Sequence, residues 1–431
     1  MLVVLLPVVV VFLLPAGPLI GSSWPFWVVL LLCAWVLWEV LGPAPARQGP
    51  APPEEPGGQL RMLHEADQPQ AVRDVMNVNI ALEEGNTRVF RGRLRESASD
   101  AYRKLEQAFA PHAMPLVQED EQLGAQVVLL PRPVEAEVDR PVRPWIHWLL
   151  FTLTLVTTTW AGAAHQGVDI LRQPGRFAVG LPYALGLLAI LGTHELGHYF
   201  MARRRGMRVT PPYFIPLPFA LGTFGAFIEM RTVPRDRRTL FDVAVAGPLA
   251  GLALAVPALL LGLRSSTVVT GDAASHIMGG ASVGSSILLA VLSKLSLGEA
   301  LRYGHLVQLS PLAFAGWLGL MITALNLLPV GQLDGGHIAY AMFGRRVGNT
   351  ISNVAMWSLL LLGVFVWPGL LMWAVIVFFI AGRRTPPLND LTPVTPARQW
   401  LGYVAFVLLA LIVAPLPHAF WAEAGIHCPY V

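Results

Sequence analysis

The sequence predicts an all-α polytopic membrane protein of about seven to nine transmembrane helices with one re-entrant segment, plus a small cytoplasmic α+β domain. Of its 431 residues, 54% are hydrophobic and only 13% are charged, whereas soluble domains carry about 25% charged residues. The mean hydropathy is +0.56. Apolar runs of about 20 residues, the length that spans a bilayer, recur along the chain.

Charge and cysteine content exclude other classes of protein. The net charge of +3 is small and comes from scattered residues, so no nucleic-acid partner is expected. The two cysteines, Cys33 and Cys428, form neither a disulfide framework nor a cysteine zinc site. The partner that this composition predicts directly is the lipid bilayer.

The chain begins with two apolar runs, about 2–20 and 24–41, without the basic start of a signal peptide. We therefore expect an amino-terminal transmembrane hairpin over residues 1–42. The proline-rich stretch 43–58 follows it, and its composition is typical of a semi-rigid linker.

Residues 59–140 are charged and predict a cytoplasmic domain with β-α-β-β order. The stretch 87–95 alternates like a strand. Ser97 opens a helical pattern, with Asp100 placed like the acid of a capping box. Two apolar segments, joined at 121–124, then predict a hairpin. The pattern contains no catalytic constellation.

Apolar runs that suit a membrane span follow at 145–163, 179–202, 240–263, 306–329, 352–380 and 400–417. The run 352–380 is either one tilted span or a hairpin of two short ones. Residues 279–296 are either a short membrane dip or a surface segment. Arginines cluster at one set of ends, which the positive-inside rule assigns to the cytoplasm; they include Arg203, Arg204, Arg205, Arg208, Arg231, Arg235, Arg237, Arg238, Arg345, Arg346, Arg383 and Arg384.

The stretch LGTHELGHYF (191–200) contains the pattern H-E-x-x-H at the end of an apolar run. His194 and His198 share one face of a helix, so both imidazoles can bind one metal ion. Glu195 lies about 100° around the helix, where it can act as a general base. The alternative interpretation is a snorkelling cluster beside the arginines.

A catalytic zinc needs a third protein ligand and one open position. No His or Glu follows His198 in YFMARRRGMRVTPPYF (199–214). Asp334 is the predicted third ligand, and His337 is the competing one.

Pro329, Gly331, Gly335 and Gly336 surround Asp334 and predict irregular backbone there. Such backbone occurs at membrane depth only where it is buried in protein or lines a wet cavity. The ends near 194–198 and 334 face the same leaflet, so they can meet.

Two motifs together resemble the site-2 protease family of intramembrane zinc metalloproteases (peptidase family M50). They are H-E-x-x-H and N-x-x-P-x-x-x-L-D-G, and the resemblance covers roughly 179–340. The matching residues are His194, Glu195, His198, Asn326, Pro329, Leu333, Asp334 and Gly335. No PDZ domain is evident, which is similar to the bacterial and chloroplast branch.

The resemblance implies one Zn²⁺ per chain, held by His194, His198 and Asp334, with Glu195 as general base. It implies regulated intramembrane proteolysis, in which the substrate is a transmembrane protein. It divides the remaining chain into a metalloprotease membrane core at 145–343 and carboxy-terminal transmembrane helices at 344–431. The expected location is a bacterial cell (inner) membrane, with the active site toward the cytoplasm.

The segment PPYFIPLPFALGTFGAFIEM (211–230) has arginines on both sides, which favours a re-entrant loop over a span. It is similar to the family's membrane-dipping β-hairpin, whose edge would receive substrate at Gly222, Phe224 and Gly225; the alternative is a plain packed loop. Asn326 would hydrogen-bond the substrate peptide, or else pack between helices. AGPLAG (246–251) suits close helix packing.

Two other functions are compatible with a membrane protein of this kind. A metal transporter would need several spans with metal ligands along a path, and acidic residues are scarce in the other spans. A non-catalytic membrane scaffold would use the soluble domain to bind its partners.

Overall fold

The computed structural model describes residues 61–131, 142–269, 286–300, 306–365 and 386–414, apart from 111, 121 and 219, and isolated positions between 371 and 378. The predicted transmembrane hairpin at 1–42 and the linker at 43–58 lie outside the described residues. So do much of the run 352–380 beyond residue 365 and part of 279–296.

The first unit is a five-stranded antiparallel sheet of order β1-β2-β3-β5-β4, which we call the amino-terminal sheet (61–131). Its strands are β1 (Arg61–Met62), β2 (Met76–Glu84), β3 (Thr87–Leu94), β4 (Ala113–Asp120) and β5 (Gly124–Pro131). Helices α1 (Gln70–Val75) and α2 (Ala98–Phe109) pack against it. Phe90, Leu105 and Val127 are wholly buried in this core.

The amino-terminal sheet contains the strand, helix and hairpin that the sequence predicts. The Ser97 hydroxyl accepts a hydrogen bond from the Asp100 backbone N–H at 3.2 Å, which caps α2. β1, α1 and β2 precede the predicted elements and were not predicted.

The rest of the described chain is mainly helical. Its helices are α3 (Pro144–His165), α4 (Leu181–Arg204), α5 (Arg237–Arg264), α6 (Ile287–Leu297), α7 (Pro311–Leu327), α8 (Asp334–Phe365) and α9 (Pro396–Val413). Among the described residues, four helical stretches are long and apolar enough to cross a membrane: Pro174–Arg204, Arg237–Arg264, Asp334–Phe365 and Pro396–Val413. The chain is thus a mostly helical integral membrane protein, and the predicted seven to nine spans stay a prediction.

Small residues let the central helices approach closely. A Cβ atom at Gly197 of α4 would lie only 2.6 Å from the Ala246 carbonyl oxygen of α5, and one at Gly316 of α7 would lie 2.6 Å from the Leu259 backbone nitrogen. Helices in lipid associate through such close backbone contacts. His194, His198 and Asp334, the predicted ligands, therefore lie on a tightly packed set of helices.

An antiparallel hairpin of β6 (Tyr213–Pro216) and β7 (Thr223–Phe227) connects α4 to α5. Its turn is tied to neighbouring helices, because Thr157 donates its hydroxyl hydrogen to the Gly222 carbonyl at 2.7 Å and Tyr183 to the Leu221 carbonyl at 2.9 Å. A second pair, β8 (Thr267–Val269) with β9 (Leu306–Gln308), lies between α5 and α7.

The prediction of irregular backbone around Asp334 is wrong for its second half. Residues 328–333 are non-helical, but α8 begins at Asp334 itself. A Cβ atom at Gly335 would overlap the Leu327 carbonyl, so only glycine fits at this helix start. α8 then breaks at Gly344, whose φ of 81° and ψ of 179° are not helical.

Candidate metal centre

The H-E-x-x-H pattern lies on the last turns of α4, as predicted. His194 and His198 are one helical turn apart and are 4% and 5% exposed. Their Nε2 atoms are 3.2 Å apart. Asp334, at the start of α8, places Oδ2 3.5 Å from Nε2 of His194 and 3.2 Å from Nε2 of His198.

The spacing of these three atoms fits a single tetrahedral metal ion. Zinc–nitrogen and zinc–oxygen bonds of about 2.0–2.2 Å put tetrahedral ligand atoms about 3.3–3.6 Å apart, and the observed separations of 3.2, 3.2 and 3.5 Å are close to that. Two imidazoles and one carboxylate are ligands that zinc prefers, and they leave one coordination position free. Among the described residues, this is the one group of His, Cys, Asp and Glu that could hold a metal.

A backbone carbonyl orients one of the imidazoles. Nδ1 of His198 lies 2.8 Å from the Val243 carbonyl oxygen. That oxygen can only accept, so Nδ1 carries the hydrogen and Nε2 presents its lone pair to the cluster. Asn326 of α7 places Nδ2 3.2 Å from Nε2 of His194.

Two glycines of AGPLAG make room for the imidazoles. A Cβ atom at Gly247 would overlap Nε2 of His198, and one at Gly251 would lie 3.1 Å from Nδ1 of His194. The sequence predicted close helix packing for this stretch. It did not predict that the space serves the ligand side chains, because nothing local links α5 to particular residues of α4.

Glu195 is buried on the same helix, with 8% of its surface exposed. It lies close enough to His198 and Asp334 to interact electrostatically with both, and its carboxylate accepts a hydrogen bond from the Ile228 backbone N–H. Ile228 directly follows β7. The predicted general base thus lies between the ligand cluster and the hairpin.

The other candidate residues take different places. His337 of α8 is not in the ligand group found among the described residues. Gly222 packs against α3, where a Cβ atom would overlap Thr158. Phe224 and Gly225 lie in β7, and a Cβ atom at Gly225 would contact nothing within 4 Å. No contact tests their predicted role in substrate binding.

A buried pair of histidines and a carboxylate, with a neighbouring glutamate, is a ligand set suited to a zinc ion with a general base beside it. Comparison with known families agrees, since residues 182–367 match Peptidase family M50. The matched residues, which are less than half of the chain, include all three candidate ligands and Glu195.

The chain is also similar in sequence to several named proteins. The chain is 38% identical over 251 residues to "Probable zinc metalloprotease EGY1, chloroplastic" of Arabidopsis thaliana, covering 57% of this chain and 45% of that protein. It is 35% identical over 241 residues to "Probable zinc metalloprotease EGY2, chloroplastic" of Oryza sativa subsp. indica, covering 56% and 43%. The chain thus spans less than half the length of these relatives. "Probable zinc metallopeptidase EGY3, chloroplastic" of Arabidopsis thaliana is 29% identical over 359 residues, covering 75% and 61%.

Proposed function

We propose that this chain is an intramembrane zinc metalloprotease that hydrolyses peptide bonds in or near transmembrane segments of membrane proteins. The observation that carries the proposal is the convergence of Nε2 of His194, Nε2 of His198 and Oδ2 of Asp334 at tetrahedral spacing inside apolar helices. The names of the relatives support zinc as the metal.

His194, His198 and Asp334 would hold the zinc ion, which would supply Lewis-acid activation of water and of the scissile carbonyl. Glu195 then takes a proton from the attacking water and delivers it to the leaving amine. Asn326, whose Nδ2 lies 3.2 Å from Nε2 of His194, would donate its amide hydrogen to the carbonyl oxygen as that oxygen gains negative charge.

The hairpin is the proposed substrate platform. An intact helix hides its carbonyl groups, so the substrate must unwind locally and can pair as an extended strand. β7 ends next to Glu195 through Ile228, and Gly225 presents an open backbone. We therefore keep Phe224 and Gly225 in the substrate edge, while Gly222 fixes the turn against α3. Insertion of this hairpin into the bilayer is part of the proposal.

The arginine-rich ends of the spans, beside the metal centre, are the proposed cytoplasmic side and the route by which water enters. The domain boundaries at 59–140, 145–343 and 344–431 remain proposals as well. A bacterial inner membrane, expected from the sequence, has no support in the comparisons, because the named relatives are chloroplastic.

Glu195→Gln tests the proposal. The amide keeps the shape of the side chain but cannot take a proton, so the variant should retain one zinc ion per chain. Cleavage of a single-span transmembrane peptide in liposomes should fall by about 10²–10⁴-fold, the usual contribution of a general base. Zinc content is measured by mass spectrometry of the purified full chain, with His194→Ala as the variant expected to lose the metal.

Undiminished cleavage by Glu195→Gln contradicts the proposed mechanism. Zinc movement across liposomes by the wild type, without any cleavage, would support the transporter instead. Neither cleavage nor transport, together with retained assembly on a membrane partner, would support the scaffold.

A further inference from the structure

The helix that carries Asp334 is short and needs its own anchors. The break at Gly344 separates residues 334–343, which we call the ligand helix, from the long remainder of α8. A break of this kind removes the rigid connection through which the rest of α8 would otherwise fix the direction of the ligand helix. The position of Asp334 therefore depends on contacts made along the ligand helix itself.

The far end of the ligand helix is held by two hydrogen bonds. The Tyr340 hydroxyl donates to Oδ2 of Asp390 at 2.8 Å, and Nε of Arg237 donates to the Ala341 carbonyl at 2.9 Å. Tyr340 is 4% exposed and Asp390 is 6% exposed. A buried hydrogen bond to a carboxylate is strong and costly to break, because the group left behind cannot be solvated.

Asp390 belongs to a segment that joins two parts of the molecule. We call residues 386–395, which lie before α9, the strap. Its backbone runs parallel to β4: the Val117 N–H donates to the Leu388 carbonyl at 2.7 Å, and the Asp390 N–H donates to the Val117 carbonyl at 2.9 Å. β4 is an edge strand of the amino-terminal sheet, and the strap pairs with this open edge through a single parallel bridge between Val117 and Asn389.

The strap also contacts the start of α5 and the start of α2. The Asn389 N–H donates to the Arg235 carbonyl at 2.9 Å, just before α5. The Asn389 side chain donates from Nδ2 to the Ala98 carbonyl of α2 at 3.0 Å. Asn389 is 2% exposed, so these bonds are made away from water, where an unmade bond costs most.

We propose that Tyr340 and Asp390 are positioning residues for Asp334, and that the strap thereby couples docking of the amino-terminal sheet to the geometry of the metal centre. The inference rests on the proposed function only in taking Asp334 as a metal ligand. It gives the amino-terminal sheet a role in the proposed reaction: when the sheet is docked, the strap, Tyr340 and the ligand helix are held together.

The coupling works in both directions. A molecule that pulls the sheet from the strap weakens metal binding, and loss of the metal weakens docking of the sheet by the same factor, because linkage between two sites is reciprocal.

The test measures how fast the purified full chain releases zinc to an excess of chelator. Outer contacts to metal ligands are worth about 10–100-fold in metal affinity, and Tyr340 acts through a helix. We therefore expect Tyr340→Phe and Asp390→Ala each to release zinc about 10-fold faster. Asp390→Asn keeps an oxygen that accepts the Tyr340 hydrogen bond, so it should release zinc at nearly the wild-type rate. Tyr403→Phe, on the exposed face of α9, is the matched control and should not change the rate.

The double variant Tyr340→Phe/Asp390→Ala should release zinc no faster than either single variant, because each single change already removes the same hydrogen bond. Asn389→Ala should also accelerate release, and should increase hydrogen exchange at the Val117 amide. Melting temperatures of all variants separate these effects from general unfolding.

Wild-type release rates in Tyr340→Phe and Asp390→Ala would overturn the inference, as would additive effects in the double variant. Faster release in both variants supports it even if the chain cleaves no substrate, so failure of the proposed protease activity is seen separately. A wild-type chain that binds no zinc overturns both claims.

Discussion

The metal centre and the amino-terminal sheet are stabilised in different ways. The sheet buries a continuous apolar core that includes Phe90 and Leu105, and it keeps ion pairs such as Arg103–Asp100 at the surface. In the helical core, by contrast, one ion-paired carboxylate is enclosed. Asp242 of α5 accepts bidentate hydrogen bonds from Arg398 and a further bond from Arg205, and its side chain is only 11% exposed.

The difference shows where a small change acts on function and where it acts on stability. Apolar burial is non-directional and proportional to area, so the sheet should lose stability gradually as side chains shrink. The metal centre depends on space for the imidazole rings, and that space exists because residues such as Gly247 have no side chain. One added methyl group there should remove function without removing the fold.

The largest expected effect is that of Gly247→Ala. The new methyl group would overlap Nε2 of His198, so the imidazole must turn away from the cluster. We expect zinc affinity to fall by more than about 100-fold, the upper range for contacts around metal ligands. Equilibrium competition with a chelator measures it in the full chain.

Gly192→Ala is the matched control for Gly247→Ala. Gly192 is also a glycine inside a helix, but a Cβ atom there would lie 3.6 Å from Phe214, an ordinary contact. Its zinc affinity should equal that of the wild type. Equal zinc affinity of Gly247→Ala and the wild type would mean that His198 is not a ligand.

The sequence could predict the metal centre because two short motifs carry it. His194, Glu195 and His198 follow from helical spacing, and the position of Asp334 follows from span orientation together with the composition around it. Val243 and Gly251 could not be predicted in the same way, since their roles depend on how α5 packs against α4.

The fold could be predicted where periodicity is strong, as in β3 and α2. β2 (MNVNIALEE) was missed although residues 76–80 alternate between apolar and polar, because its polar positions are asparagines, which are depleted in strands. The strap was missed for a related reason: LNDLTP (388–393) has no period, and its hydrogen bonds go to residues as distant as Ala98 and Val117.

The next effect concerns the apolar core of the amino-terminal sheet. Phe90 is wholly buried, so Phe90→Ala leaves a cavity and should destabilise the sheet by about 3–5 kcal/mol. Zinc content should stay at one ion per chain under conditions where the sheet remains folded. Urea-dependent proteolysis of the full chain measures the unfolding of the sheet. Met62→Ala, at an exposed position, is the control and should change the stability of the sheet by less than about 0.5 kcal/mol. A loss of zinc from a folded Phe90→Ala chain would contradict the contrast between the two regions.

A smaller effect separates enclosed from exposed ion pairs. Asp242→Asn leaves Arg398 and Arg205 without their counter-ion, and should destabilise the helical core by about 2–4 kcal/mol, somewhat less than for fully buried pairs. Asp100→Asn removes an exposed partner of Arg103 and should cost less than about 1 kcal/mol. Thermal unfolding in the same detergent measures both variants. Equal losses of stability in the two variants would show that burying an ion pair does not increase its contribution to stability.

The smallest effect is a pH dependence at the strap, where the two regions meet. Burial raises the pKa of Asp390, against the opposing effect of the Tyr340 hydrogen bond, and its Oδ1 atom has no hydrogen-bond partner among the described residues. Because the folded state binds this proton more tightly than the unfolded state, stability falls as pH rises from about 4, the pKa of an unfolded aspartate, through the raised folded value. Asp390→Asn carries no such proton, so its melting temperature relative to the wild type should be higher at pH 8 than at pH 4. The opposite result would be a wild-type chain that gains stability relative to Asp390→Asn as pH rises. It would mean that neighbouring groups stabilise the ionised Asp390 carboxylate, so that its pKa is lowered instead of raised.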